Sequence, residues 1–208
     1  MKPLTKTSLL AMIAAFGIAT AAPVLAAQDT DGDGVPDSAE PLIHTDPQNA
    51  DTDGDGMNDL ADDNPVFAAN PITAEGAAAP FTIKEALVEN NYDYAARKDA
   101  TDHLELQIVN PTGDVLTGFS IYTTITDKDD GSTEAYFAML DGFSVPAGGE
   151  TRIHFDDSGL PDHFRSNPNS IYKTSQAAKQ FTVELKADGY QPVTVEIAKD
   201  AGGAELAD

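Results

Sequence analysis

Two stretches of this 208-residue chain carry acidic side chains at a spacing that suits a hard cation. Asp29, Asp31, Asp33, Asp37 and Glu40 stand at positions 1, 3, 5, 9 and 12 of one loop, with Gly34 at position 6. Asp51, Asp53, Asp55, Asp59 and Asp62 occupy the same positions of a second loop, with Gly56 at position 6. A calcium ion takes six to eight oxygens, and carboxylates on alternate residues of a tight loop turn inward together. Glycine at position 6 permits the sharp bend, and the carbonyl of position 7, Val35 or Met57, adds a backbone oxygen. The acid at position 12 closes the shell. Magnesium fits less well, because it demands a smaller octahedral cage and gives up water reluctantly. One such loop in an acidic chain is weak grounds for a site; two in register, each with both distal acids, point to calcium.

The elements around the loops decide what that calcium does. A sensor of the EF-hand kind needs a helix on each side of its loop, because the helices carry the signal. Between these loops lies PLIHTDPQNA, where Pro41 and Pro47 leave no room for a useful helix. After the second loop the chain stops again at Pro65. One helical turn at most fits, around Asp37 to Glu40. The sensor reading fails, and a dockerin reading fails with it, since that module also needs a helix running on from each loop.

The whole stretch DTDGDGVPDSAEPLIHTDPQNADTDGDGMNDLADDNP, residues 29 to 65, resembles the thrombospondin type 3 repeat in its bacterial form, including the connector Thr45-Asp46-Pro47-Gln48-Asn49. The resemblance implies a chain wound around calcium ions that take the place of a hydrophobic core. It assigns the acids of the first loop to one ion and those of the second to the next, with Asp46 and Asn49 as further candidates. Asp62 departs from the commoner Glu at position 12, which implies a weaker second site.

Charge and compartment agree with this. Residues 28 to 65 hold twelve acidic side chains and no Lys or Arg. Such a stretch buries too little apolar surface to order itself without a ligand. The formal net charge of the chain is −23, and −25 once Lys2 and Lys6 are removed with an N-terminal segment. That segment, residues 1 to 27, has a basic start, an apolar run from Leu9 to Ala22 and small residues before Gln28, the layout of a secretory signal peptide. A chain this acidic repels phosphate backbones and anionic headgroups, so no nucleic-acid or membrane-surface partner is expected, and with no later segment apolar enough to span a bilayer, no membrane insertion is expected after signal removal. With no Cys, no disulfide supports it. Extracellular calcium modules bind with dissociation constants of about 0.1 to 1 mM. At millimolar calcium a site at the tight end contributes roughly 1.4 kcal/mol, which makes these loops staples rather than switches.

The remainder divides into a Pro-flanked linker at 67 to 80 and a strand-rich domain at 81 to 208, after a calcium-binding repeat at 28 to 66. Leu104, Leu106 and Ile108 alternate with polar residues, as do Phe119, Ile121, Thr123 and Ile125; about seven such runs separated by turn residues predict a mainly β fold, an immunoglobulin-like antiparallel β-sandwich. A helical turn is expected at Ser175 to Lys179. No nucleophile motif, HExxH or phosphate loop is present. His154, Asp156, Asp157, Asp162 and His163 could form a small metal cluster but read better as a strand end and turn. Tyr92, Tyr94, Tyr136, Tyr172 and Tyr190 could line a sugar-binding face but read better as packing. The expectation is a secreted, non-enzymatic calcium-binding protein, with a protein or glycan surface as partner and a structural or adhesive role. An accessory or carbohydrate-binding module of a secreted enzyme system is the alternative.

Overall fold

In the computed structural model, residues 27–89, 92–93, 98–99, 103–156 and 158–202 are described; the side chains of the short 92–93 and 98–99 strands and of Glu89 are left aside. The expected signal segment and Tyr94 lie outside these residues. Among the described residues no helix is long and apolar enough to cross a membrane.

The fold is mainly β. Its strands are β1 (Thr82–Glu89), β2 (Tyr92–Asp93), β3 (Lys98–Asp99), β4 (His103–Val109), β5 (Ser120–Asp127), β6 (Thr133–Met139), β7 (Glu150–Phe155), β8 (His163–Phe164), β9 (Lys179–Lys186) and β10 (Val193–Lys199). One four-stranded sheet runs β1-β4-β7-β8 and a second runs β10-β9-β5-β6, while β2 and β3 form a small hairpin. All pairings are antiparallel except β7 with β8.

Alternation sets which face is inside. In the first sheet Leu106 pairs with Ile153 and Leu104 with Phe155. In the second, Ile121 pairs with Leu185 and Ile125 with Phe181. These residues join one hydrophobic cluster drawn from both sheets. Phe81, Phe119 and Phe143 run through it edge to face, with ring centroids 5.4 and 5.1 Å apart. The DKDDG segment is a hairpin turn, as its residue types predict: Asp127 accepts from the Asp129 amide and Asp130 from the Ser132 amide.

Two short helices complete the fold, α1 (Glu40–Ile43) and α2 (Ile171–Thr174). The helical turn expected at 175 to 179 lies four residues earlier. Ser170 caps it, accepting from the Tyr172 amide, and the buried Glu134 carboxylate takes the Ile171 amide at 3.0 Å. Ser175 is extended and donates to the Asp127 oxygen that also faces the fully buried Lys179 ammonium at 3.0 Å. Burial of Ile171 and Tyr172 outweighs the helix propensity of the downstream alanines.

Candidate metal centre

Each acidic loop is shaped by carboxylates folding back on their own backbone. Asp29 accepts from the amides of Gly32 (2.8 Å) and Gly34 (3.2 Å), and Asp51 from those of Gly54 and Gly56, both at 2.9 Å. Asp31 and Asp53 accept from the amides of Asp33 and Asp55, and these in turn from Val35 (2.6 Å) and Met57 (2.8 Å). Gly34 and Gly56 sit at φ of 103° and 96°, where a β-carbon is disfavoured. The position-9 acids are locked by threonine: Asp37 takes the amide and hydroxyl of Thr30, and Asp59 those of Thr52, all at 2.7 to 2.8 Å.

This folding brings three acids together in each loop. Ligand oxygens of Asp29, Asp31 and Asp33 lie within 4.8 Å of one another, and so do those of Asp51, Asp53 and Asp55. One oxygen of Asp31, one of Asp33, one of Asp53 and both of Glu40 are buried with no hydrogen-bond donor. Glu40 is 0% exposed. A carboxylate stripped of water and given no donor is strongly unfavourable, and a cation is the partner that satisfies it.

The electrostatics show the same need. Burial, then the negative charges of Asp31, Asp33, Asp37 and Asp59, push the Glu40 carboxyl up to about 7. Asp53 is pushed up to about 6 by burial, with Asp55, Asp62 and Asp51 adding to it against a hydrogen bond from the Asp55 amide. Burial also raises Asp31 and Asp59. Asp59 belongs to the second loop yet feels Asp33 and Asp31 of the first, and Asn58 donates to the Asp33 carbonyl at 2.9 Å. The two loops therefore share one field.

The remaining predicted positions vary in exposure and in their partners. Val35 is buried and Met57 is 46% exposed. Asp62 spends one oxygen on the Asn64 amide at 2.8 Å. Asn49 donates to the Asp51 carbonyl at 2.7 Å. Asp46, a candidate ligand by resemblance, is instead gripped by the guanidinium of Arg165, both oxygens engaged and the residue 1% exposed. A fork-on-fork pair of this kind satisfies the carboxylate's charge without an ion.

That pair belongs to a docking surface the sequence does not advertise. Asn167 and Asn169 donate to the carbonyls of His44 and Thr45, each at 2.6 Å. The Phe137 amide of β6 donates to the Asp53 carbonyl at 2.7 Å. Past the loops, the Ala68 and Ala135 amides donate to Ala135 and Val66, and the Tyr122 hydroxyl donates to the Ala68 carbonyl. Residues 53 to 68 thus cover β6, the open edge of its sheet, which would otherwise present unpaired backbone groups. Gly54 makes the approach possible: it sits at φ of 81°, and a β-carbon there would lie 2.0 Å from the Phe137 carbonyl oxygen. Between the connector and second loop, the β6 edge and the 165–172 segment lies a cavity of about 420 Å³.

With the loops, their buried oxygens and their docking in view, likeness to known proteins can be placed. Residues 29–50 match the family model of the bacterial TSP3 repeat. That repeat type binds calcium. The match ends before the second loop, whose assignment rests on its repetition of the first. No curated protein matches the chain. Among solved structures, the X-ray structure of Northeast Structural Genomics Consortium target SoR45 aligns over 63% of this chain and 94% of that one, with 11% identity and a TM-score of 0.37. The archaeal flagellum of Methanospirillum hungatei strain JF1 aligns over 61% and 69%, with 10% identity and a TM-score of 0.32. Scores this low carry no argument about fold or activity.

Of the tyrosines considered for sugar binding, Tyr136, Tyr172 and Tyr190 are engaged in packing or internal hydrogen bonds. Tyr172 is buried and Tyr136 donates to Glu134 at 2.7 Å, while Tyr190 packs on the core cluster. Of the residues around the β7 end, Asp157 lies outside the described residues; His154, Asp156 and His163 come together.

Proposed function

We propose that this is a secreted, non-enzymatic calcium-binding protein in which two calcium ions order the acidic segment and hold it in the shape that docks on the β6 edge. The observation that carries the reading is Glu40, a fully buried carboxylate with no donor on either oxygen, facing the Asp29–Asp31–Asp33 cluster's field. Asp29, Asp31, Asp33, the Val35 carbonyl and Glu40 would serve the first ion. Asp51, Asp53, Asp55, the Met57 carbonyl and Asp62 would serve the second. Asp37 and Asp59, tied to Thr30 and Thr52, act from behind by adding negative charge and fixing the loop.

The chemistry supplied by bound calcium is charge neutralisation, with no reaction attached. The strand orders β1-β4-β7-β8 and β10-β9-β5-β6 support an immunoglobulin-like β-sandwich as the body that the repeat caps. Such a body, with an ion-stiffened acidic cap, suits a structural or adhesive role on a protein or glycan surface outside the cell. Isothermal titration of the chelated chain with calcium tests the reading: two ions per chain support it, and heat no larger than dilution contradicts it.

A further inference from the structure

The outer face of the β1-β4-β7-β8 sheet gathers three of the four histidines in the chain. Register does this. Glu105 lies opposite His154 across β4 and β7, and His154 lies opposite His163 across β7 and β8. His103 stands two residues before Glu105 and so on the same face. The His154 and His163 rings are stacked, with centroids 4.4 Å apart and planes 7° from parallel, and the His103 ring lies 5.4 Å from His154. Asp156 turns back at the strand end, so that its two oxygens lie 3.0 and 2.9 Å from His163 Nδ1.

We propose that His154, Asp156 and His163 form a second metal centre, for a divalent transition ion of the zinc class, with Glu105 positioning the His154 ring. Donor chemistry separates this centre from the acidic loops. Imidazole nitrogens suit zinc and its neighbours, whereas calcium takes oxygen alone. The three ligand atoms already lie within 4.8 Å of one another. Bonds of about 2.0 to 2.1 Å at tetrahedral angles need ligand atoms roughly 3.3 Å apart, so the three atoms need draw together by no more than about 1.5 Å. All three side chains are shielded, at 21, 18 and 17% exposure.

Glu105 is assigned a positioning role because it is already committed to Arg152, whose guanidinium also reaches Glu85 at 2.8 Å. Its other oxygen lies 3.5 Å from His154 Nδ1, the arrangement by which a carboxylate orients a metal-bound imidazole. With one carboxylate and two neutral rings, a divalent ion keeps one positive charge and an open position. Water or a small anion would fill it.

The test uses the full chain in millimolar calcium, which saturates the acidic loops. Titration with zinc should show one further ion per chain, and cobalt at the same stoichiometry should develop visible absorption. His154→Ala and His163→Ala should each abolish that step, Glu105→Gln should weaken it about tenfold, and Asp31→Asn with Asp53→Asn should leave it intact. Labelling of the unmodified chain with diethyl pyrocarbonate gives a readout independent of any variant's folding: zinc should protect His154 and His163 and leave His44 reactive. Zinc uptake that survives both histidine substitutions, or labelling unchanged at saturating zinc, would overturn the proposal. Failure here would leave the calcium reading untouched, since that rests on different residues and a different ion.

Discussion

The two acidic loops share a spacing and a threonine lock, yet they are held in place by different means. The first ends in Glu40, buried and without a donor, and its own backbone makes no bond to a strand among the contacts described above. The second ends in Asp62, one oxygen of which takes the Asn64 amide, and is pinned to β6 through the Asp53 carbonyl and the close approach of Gly54. Near-identical sequence therefore does not mean an identical source of stability. On the proposed reading the first loop depends on its ion, whereas the second shares the load with a sheet edge.

Substitution of Gly54 should break this difference most sharply. Gly54→Ala places a β-carbon 2.0 Å from a backbone oxygen at positive φ, so the second loop must leave β6 at a cost of at least about 3 kcal/mol. Gly32, its counterpart in the first loop, has nothing within 4 Å, and Gly32→Ala should cost only the backbone term of about 1 to 2 kcal/mol. Thermal or urea unfolding in calcium reads both. Equal losses would mean that docking on β6 contributes nothing.

Next in size is Arg165→Ala, which leaves the Asp46 carboxylate buried without its partner. A loss of about 2 kcal/mol is expected, with or without calcium, because the pair lies outside both ion sites. A loss that calcium abolishes would place Asp46 among the ligands after all.

Glu40→Gln should weaken the first site about tenfold and stabilise the calcium-free chain, since it removes a buried, repelled charge. The sign reversal is the informative part. Acid should act in the same sense. Folded Glu40 sits at about 7 against an ordinary 4.5, so the calcium-free fold favours the protonated form: the stability this group contributes is full below pH 4.5 and lost as pH rises through 7. Calcium binding must expel that proton, so affinity should fall roughly tenfold between pH 7.5 and 6. Glu40→Gln should flatten the profile until Asp53, at about 6, begins to titrate. Smallest of all, Asp62→Glu should tighten the second site by about threefold through a longer reach to the ion.

Much of this was legible from residue types and spacing. The loop acids repeat at a fixed interval, and their own hydrogen bonds are local, so chemistry and geometry are written in the same twelve residues. Strand alternation was equally plain at Leu104–Ile108 and Phe119–Ile125. What was hidden depends on distant partners. Asp46 reads as a ligand until Arg165, 119 residues away, is brought against it. Residues 67 to 80 read as a linker because small residues carry no pattern, yet Ala68 is fully buried against Tyr122 and Ala135. The His103–His154–His163 row exists only through register across three strands. The helix at α2 was displaced because a buried glutamate on β6 caps it from outside the local sequence.

The central claim is that calcium gives the acidic segment its shape. Hydrogen exchange of residues 28 to 65, read by mass spectrometry in millimolar calcium and again after chelation, tests it most directly. Strong protection of both loops in calcium is expected. After chelation, protection should vanish over 29 to 45 and persist in part around Asp53 to Ala68, where β6 still holds the chain. Exchange over residues 29 to 45 that is indifferent to chelation would contradict the account.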